Sequence, residues 1–215
     1  MDFATMIIQL GEGFLQTLLI FVLVLVFSMP LGLFVYFGRA SKFKPLSWLI
    51  KAFISIMRGT PLMLQLIMWY FGPYYLFGMN IGGYKFTAII LGCSLNYAAY
   101  FAEIYRSGIE SMPVGQYEAA NILGYSRSQT FLRIILPQVF KNVLPSITNE
   151  VITLVKDTSL VYSVSYIEMF ATAKQIAAAQ TTFMPLFVAG VFYYVFNWVV
   201  ALIMEKIEKK LNYYR

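Results

Sequence analysis

Long apolar runs separated by short polar segments dominate the sequence. Crossing a bilayer takes about 20 apolar residues, and five runs approach or exceed that length. The fold class we predict is therefore an all-α integral membrane protein with five transmembrane helices. The first run is also too long for the apolar part of a signal peptide, so we expect it to be retained. The predicted spans cover approximately residues 14–37, 54–77, 86–105, 139–155 and 183–204.

Basic residues set the predicted orientation. If the five spans alternate, 13 of the 16 Lys and Arg residues fall on one side. Because cytoplasmic loops are enriched in basic residues, we predict an N-terminus outside and a C-terminus in the cytoplasm. The residues on the basic side are Arg39, Lys42, Lys44, Lys51 and Arg58 after span one, Arg106, Arg127, Arg133 and Lys141 after span three, and Lys206, Lys209, Lys210 and Arg215 in the tail.

Composition supports the membrane assignment and excludes several kinds of site. The chain is 60% hydrophobic and 12% charged, whereas soluble domains carry about 25% charged residues. It has no His and a single Cys, Cys93, which excludes a His/Cys metal site, a His-based triad and an internal disulfide. The net charge of +6 is explained by the loops, so no nucleic-acid partner is expected.

A polar segment between spans three and four, residues 113–137, predicts two short helices joined by a sharp bend. Pro113 suits the first turn of a helix, and Ser111 lies close by as a candidate N-cap. Gly124 stands where a helix C-terminus favours a positive φ.

The second helix of this segment has its own start signal. Ser126 followed by Gln129 is a capping-box pattern, so we predict a helix that begins there and runs towards Pro137. On the predicted orientation, this helix-turn-helix lies in the cytoplasm.

Span four carries a polar face inside an apolar helix. A charge at mid-bilayer costs about 2.5–3.5 kcal/mol on the lenient insertion scale, so this face should meet a partner helix or a wet cavity. An interhelical salt-bridge network and a solute pathway both remain open. The residues, at spacings of three and four, are Asn142, Ser146, Asn149, Glu150, Thr153, Lys156 and Asp157.

This face suits a zwitterionic solute such as an amino acid. Lys156 would bind the carboxylate and Asp157 the ammonium, and as sequence neighbours they diverge by about 100° on a helix. Glu150 could meet a cationic side chain. We include Asn149 and Thr153 as further candidate ligands.

Span three has a second polar face, which contains Asn96, Tyr100, Glu103 and Ser107. Asn96 and Tyr100 are candidate pathway residues. Glu103 and Arg106 lie three positions apart near the end of the span, and we favour a local helix-end pair over a gate.

The segment Arg58-Gly59-Thr60-Pro61 precedes the apolar part of span two. Pro61 could begin a helix, or the segment could break a longer helix and open backbone to a solute; both readings remain open. Gln65 lies one turn further and is a candidate pathway residue.

Seven residues stand at a defined spacing between spans three and four: Glu118, Ala119, Ala120, Gly124, Ile134, Leu136 and Pro137. This pattern resembles the EAA loop of bacterial ABC importer permeases at every defined position. Three further segments are Arg58–Pro61, Glu103–Ile109 and Lys156–Leu160. They look like those of the permeases for polar amino acids, the histidine/glutamine/arginine/cystine/opine group.

The resemblance implies a single ABC-importer transmembrane domain over residues 1–215, in the bacterial cytoplasmic membrane. Two permease subunits, identical or related, would form the translocation pathway, and an extracytoplasmic binding protein would deliver the amino acid. Two ATPase subunits would bind ATP and Mg, so no cofactor and no catalysis is expected in this chain. The residues implied in ATPase coupling are Glu118, Ala119, Ala120, Gly124 and Pro137.

The polar faces of spans three and four add a mechanism, and rival functions remain open. Motion of the loop would move spans three and four, and Glu150 favours arginine, lysine or histidine as cargo. A secondary transporter or channel that works without an ATPase is the alternative. A membrane-embedded enzyme is a weaker one, because no catalytic motif is present, and the absence of a P-loop means that any ATP must be used by a partner.

Overall fold

The computed structural model describes residues 2–211, which form helices and connecting turns and no strand. Met1 and residues 212–215, including Arg215 of the predicted tail, lie outside the described part. The helices are α1 (Phe3–Arg39), α2 (Lys44–Gly59), α3 (Leu62–Phe77), α4 (Lys85–Glu110), α5 (Val114–Ile122), α6 (Arg127–Thr130), α7 (Leu136–Asp157), α8 (Met169–Gln180) and α9 (Met184–Leu211).

The central element is α4, which packs against α1, α2, α3 and α7. Its Tyr97 and Phe101 are fully buried. Small residues bring the neighbouring helices close: a Cβ on Gly32 of α1 would lie 2.7 Å from the Cβ of Phe101, and Gly108 leaves no room for a Cβ beside Val143 of α7. Helix axes can approach this closely only where a side chain is absent, as in many membrane bundles.

The bundle has two distinct ends. At one end, which we call the α8 end, the Lys85 ammonium donates to the Ser165 carbonyl at 3.1 Å. At the other, the α5 end, α4 leads into α5, and Arg39 at the end of α1 pairs with Glu103.

A buried carboxylate joins three helices near the α8 end. Glu168 is fully buried and caps α8 by accepting hydrogen bonds from the backbone of Phe170 and Ala171, both at 2.8 Å. It also accepts hydrogen bonds from Thr17 of α1 at 3.2 Å and Tyr193 of α9 at 3.0 Å. No local pattern in the sequence predicts this role for Glu168.

Between α2 and α3 the chain bends by 112°, so Arg58–Pro61 is a break in the helix and not merely the start of one. Gln65 stabilises the break by donating to the Met57 carbonyl at 2.9 Å and the Thr60 hydroxyl at 2.8 Å. Asn96 of α4 donates to the Gln65 amide oxygen and to the Met57 carbonyl, both at 3.0 Å.

Three helices of the described chain, α1, α4 and α9, are long and apolar enough to cross a membrane, and the bent pair α2–α3 would make four. The polar face of α7 keeps that helix out of this set. Several candidate spans are thus present, while the count of five and the orientation stay predictions.

The helix-turn-helix between α4 and α7 matches part of its prediction. Gly124 has the expected positive φ of 78°, and the capping box of Ser126 and Gln129 is complete. Ser111 as the N-cap was wrong, because its hydroxyl donates to the Gly108 carbonyl of α4 and Pro113 holds the N-cap position without a side-chain bond.

The second helix does not stop at Pro137. From α6 it passes through a π-helical turn, Phe131–Ile135, directly into α7. Proline has no N–H and its ring clashes with the carbonyl four residues earlier, and a local π-turn relieves both constraints. The predicted loop helix and span four are consequently one continuous helical segment.

Candidate functional site

A polar cavity of about 390 Å³ lies between α2, α4 and α7, towards the α5 end. Its lining is mostly polar or charged, which is expensive inside a membrane unless water or a solute fills the space. The lining includes Arg58, Tyr100, Glu103, Arg106, Ser146 and Glu150.

Two of the predicted pathway residues, Glu150 and Tyr100, line this cavity. Glu150 is half-buried. The guanidinium of Arg58 lies 5.3 Å from the centre of the Tyr100 ring, a cation–π distance. The cavity therefore offers a carboxylate, a guanidinium and an aromatic face together.

The remaining predicted ligands on α7 form a stripe that runs from the cavity towards the α8 end. Asn149 and Lys156 are exposed, whereas Thr153 and Asp157 are half-buried. Thr153 donates its hydroxyl to the Asn149 carbonyl at 2.9 Å. Buried valines, leucine and isoleucine occupy the opposite face of the helix, as the pattern predicted.

Asp157 has a partner that sequence reasoning missed. The Tyr97 hydroxyl donates to its carboxylate at 2.7 Å, while Lys156 is exposed and forms no salt bridge with it. Tyr97 lies on the buried side of α4, where sequence alone could not distinguish it from a core aromatic.

Gln65 and Asn96 lie away from the cavity. Both are buried, and their amide groups bond to each other and to the backbone of the α2–α3 break. In this arrangement they stabilise the bend, and their role as substrate ligands stays a prediction.

Glu103 makes more than the local pair favoured from its sequence. It accepts a bond from Arg106 on its own helix at 2.9 Å, pairs with Arg39 of α1, and lies 3.8 Å from Arg58 of α2. Its side chain is 13% exposed. One carboxylate therefore holds three helices together beside the cavity, an arrangement that only the packing of α1, α2 and α4 creates.

The coupling residues lie on and around α5. Glu118, Ala119 and Gly124 are exposed, and so is Pro137 at the start of α7, but Ala120 is buried within the chain. Of the two adjacent alanines, only Ala119 is therefore exposed to a docking partner.

Large apolar side chains surround these residues. Ile122 is 85% exposed and Leu123 73% exposed, at the bend between α5 and α6. Contiguous exposed apolar groups of this kind mark contact surfaces. Gln116 of α5 and Gln138 of α7 exchange two hydrogen bonds of 2.8 and 2.7 Å, which tie this surface to the helix that carries Glu150.

Comparison with known proteins places this arrangement in a family. Residues 28–213 match the family described as binding-protein-dependent transport system inner membrane component. The chain belongs to this family. Its members are membrane permeases of ABC transport systems, so the multi-pass membrane assignment and the family resemblance seen in the EAA positions are both confirmed.

Full-length relatives and a solved structure agree with this membership. The chain is 38% identical to the arginine transport system permease protein ArtQ of Bacillus subtilis (strain 168), covering 99% of this chain and 98% of that protein. It is 35% identical to the L-cystine transport system permease protein TcyB of the same organism, covering 95% and 87%.

The fold of this family member resembles that of a crystallised amino acid ABC transporter with histidines. The two chains share 31% identity with a TM-score of 0.88, covering 98% of this chain and 99% of that chain. The all-helical permease fold is therefore the fold of this chain.

Proposed function

We propose that this chain is the pathway-forming subunit of an ATP-driven amino-acid importer. In this proposal five spans cross the bacterial cytoplasmic membrane: α1, the bent segment of α2 and α3 (in which α3 makes the crossing), α4, α7 and α9. The N-terminus lies outside and the α5 end faces the cytoplasm. The main support for the proposal is the polar cavity between α2, α4 and α7, because a permease needs a hydrated, charged path through an apolar helix bundle.

The single chain does not close this path by itself. Asn149 and Lys156 are exposed on α7, within a segment that we place in the membrane. We propose that a second permease subunit, identical or related, faces this stripe and completes the pathway. Amino acids would reach it from an extracytoplasmic binding protein and leave through alternating inward- and outward-facing states.

ATP hydrolysis is assigned to separate ATPase subunits that dock on α5. Ile122 and Leu123 supply the apolar contact, and Glu118 supplies a charge-assisted hydrogen bond. Because Gln116 and Gln138 join α5 to α7, a displacement of α5 would be carried into the helix that bears Glu150.

The proposed cargo is a polar amino acid, and a cationic one fits best. Glu150 presents a carboxylate to the cavity, where it would pair with an arginine, lysine or histidine side chain. The relatives are named for arginine and for L-cystine, and the solved transporter is described with histidines. Family membership therefore does not decide which amino acid is transported, and the proposal of a cationic side chain depends on Glu150 and its surroundings.

Transport by the Glu150→Gln variant tests the cargo. We expect uptake of radiolabelled arginine by the reconstituted complex to fall by at least tenfold while uptake of glutamine is retained, because only the cation loses its partner. Ser146→Ala, which alters the same cavity without a change of charge, is the control. Equal loss of both substrates would mean that Glu150 is structural.

Docking of the ATPase is tested separately with Glu118→Arg and Ile122→Asp. Both side chains are exposed, so membrane insertion should survive while substrate-stimulated ATP hydrolysis is lost. If no ATPase co-purifies with the wild-type chain and uptake proceeds without ATP, the alternative of a secondary transporter or channel replaces this proposal.

A further inference from the structure

Helix α2 presents an apolar surface that the described chain leaves uncovered. One face packs inwards, where Ile50 and Ile54 meet Val35 of α1 and Ala99 of α4. A second face points away from the bundle and carries large apolar side chains: Trp48 is 72% exposed, Leu49 59% and Ile56 58%.

The orientation of α2 is unlike that of the spans. Its axis makes an angle of 112° with α3, whereas α3 packs along α4. Since Val35, one of its contacts, lies about a turn before the end of α1, α2 lies across the bundle near its α5 end. This position suits a helix that lies along a membrane surface rather than through it.

A basic edge runs beside the apolar face. Lys44, Trp48 and Lys51 follow at spacings of four and three, so the indole lies between two ammonium groups on one side of the helix. Lys42 precedes the helix, and all three lysines are exposed. None of them forms a salt bridge within residues 2–211, and residues 13–102 contain no acidic side chain.

We propose that α2 lies in the cytoplasmic headgroup layer and binds anionic phospholipids. Lys42, Lys44 and Lys51 contact the headgroup phosphates, and Trp48 is inserted beside them as an interfacial anchor. The cytoplasmic position rests on the proposed orientation, but the lipid contact itself does not. Lysine is depleted from the cores of protein–protein interfaces, so an apolar stripe bordered by unpaired lysines fits a lipid surface better than a second copy of this chain.

The expected preference is large enough to measure. Each lysine near an anionic surface raises the affinity of a segment for that surface by about fivefold, so three lysines favour anionic over neutral lipid at α2 by up to roughly a hundredfold in relative affinity. This preference is electrostatic and should fall as salt shortens the screening length to about 3 Å at 1 M.

Quenching of Trp48 by brominated lipid tests the proposal. The full-length chain is placed in nanodiscs of phosphatidylcholine and phosphatidylglycerol in equal amounts, with bromine on one or the other lipid. The signal of Trp48 is the difference between the wild type and Trp48→Phe, which leaves the two other tryptophans unchanged. We expect stronger quenching by brominated phosphatidylglycerol, and loss of this preference in Lys44→Gln/Lys51→Gln and in high salt.

Matched controls separate local binding from total charge. Lys206→Gln/Lys210→Gln removes the same charge from exposed positions of α9 and should leave the preference unchanged. Equal quenching by both lipids, or an equal effect of the two double variants, would overturn the proposal. Trp48 unquenched by either lipid would also overturn it and point to a second copy as the cover. Both leaflets of a nanodisc carry the same lipid, so neither the orientation nor transport activity affects the readout.

Discussion

Replacing Gly32 with alanine tests how closely α1 and α4 are packed. An added Cβ would lie 2.7 Å from the Phe101 Cβ, 3.1 Å from the Ala98 carbonyl oxygen and 3.3 Å from the Ala102 nitrogen. Ordinary contacts begin at 3.4 Å, and two of these neighbours are backbone atoms that cannot rotate away. The two helices would have to separate by several tenths of an ångström along their shared interface.

The same substitution at Gly11 supplies the reference, because Gly11 lies on the same helix and has nothing within 4 Å of an added Cβ. Alanine favours a helix over glycine by about 1 kcal/mol, so Gly11→Ala should stabilise the protein slightly. At Gly32 the same gain is offset by an overpacking penalty of about 1–3 kcal/mol. The two variants should therefore differ by about 1–3 kcal/mol.

Thermal unfolding of the two variants in the same detergent checks this difference. About 2–4 °C per kcal/mol is typical of a chain this size, so the midpoint of Gly32→Ala should lie roughly 2–12 °C below that of Gly11→Ala. Amino-acid uptake by Gly32→Ala should fall in parallel if α1 and α4 must stay in contact. Equal midpoints for the two variants would refute the close packing of α1 on α4.

Three further predictions concern single residues. Glu103→Gln should destabilise the protein by about 2–4 kcal/mol, because guanidiniums on α1, α2 and α4 lose their shared partner; a loss below about 0.5 kcal/mol in thermal unfolding would contradict this. Glu168→Ala should lower the free energy of unfolding by about 3–5 kcal/mol, because α8 loses its N-cap and the hydroxyls of Thr17 and Tyr193 lose an acceptor. The exposed Glu12→Ala, as its control, should change stability by less than about 0.5 kcal/mol. Gly124→Ala should lower the free energy of unfolding by about 1–2 kcal/mol and weaken ATPase coupling, because alanine is strained at the positive φ of this position. Gly115→Ala on α5 should leave stability unchanged or raise it. If Gly115→Ala were the more damaging variant in ATPase and melting assays, strain at the positive φ of Gly124 would be excluded as the cause.

Local signals in the sequence predicted local structure well. The capping box of Ser126 and Gln129 and the positive φ of Gly124 depend on neighbours within a few residues, so both could be predicted before any packing was known. The same is true of the polar face of α7, because its spacing alone places Glu150 and Asp157 on one side of the helix. Ser111 is not an N-cap because it lies at the C-terminal end of α4, where its hydroxyl donates to the Gly108 carbonyl.

Contacts between distant helices could not be predicted in this way. Glu103 meets arginines from α1 and α2, and Glu168 meets Thr17 and Tyr193, at separations in sequence that no periodicity encodes. Gln65 and Asn96 looked like pathway residues because they are polar inside apolar runs. The bend at Arg58–Pro61 frees backbone carbonyls that need donors, and these two amides supply them.

The sequence by itself determined the membrane class, the family, and which face of α7 is polar, because hydrophobic run length, motif spacing and helical period are properties of neighbouring residues. Only the tertiary structure decided that the α2–α3 segment bends by 112°, that Glu103 joins three helices, and that Glu150 faces a cavity with Arg58. Those features arise where separate helices meet, and the energy that fixes them belongs to pairs of residues far apart along the chain.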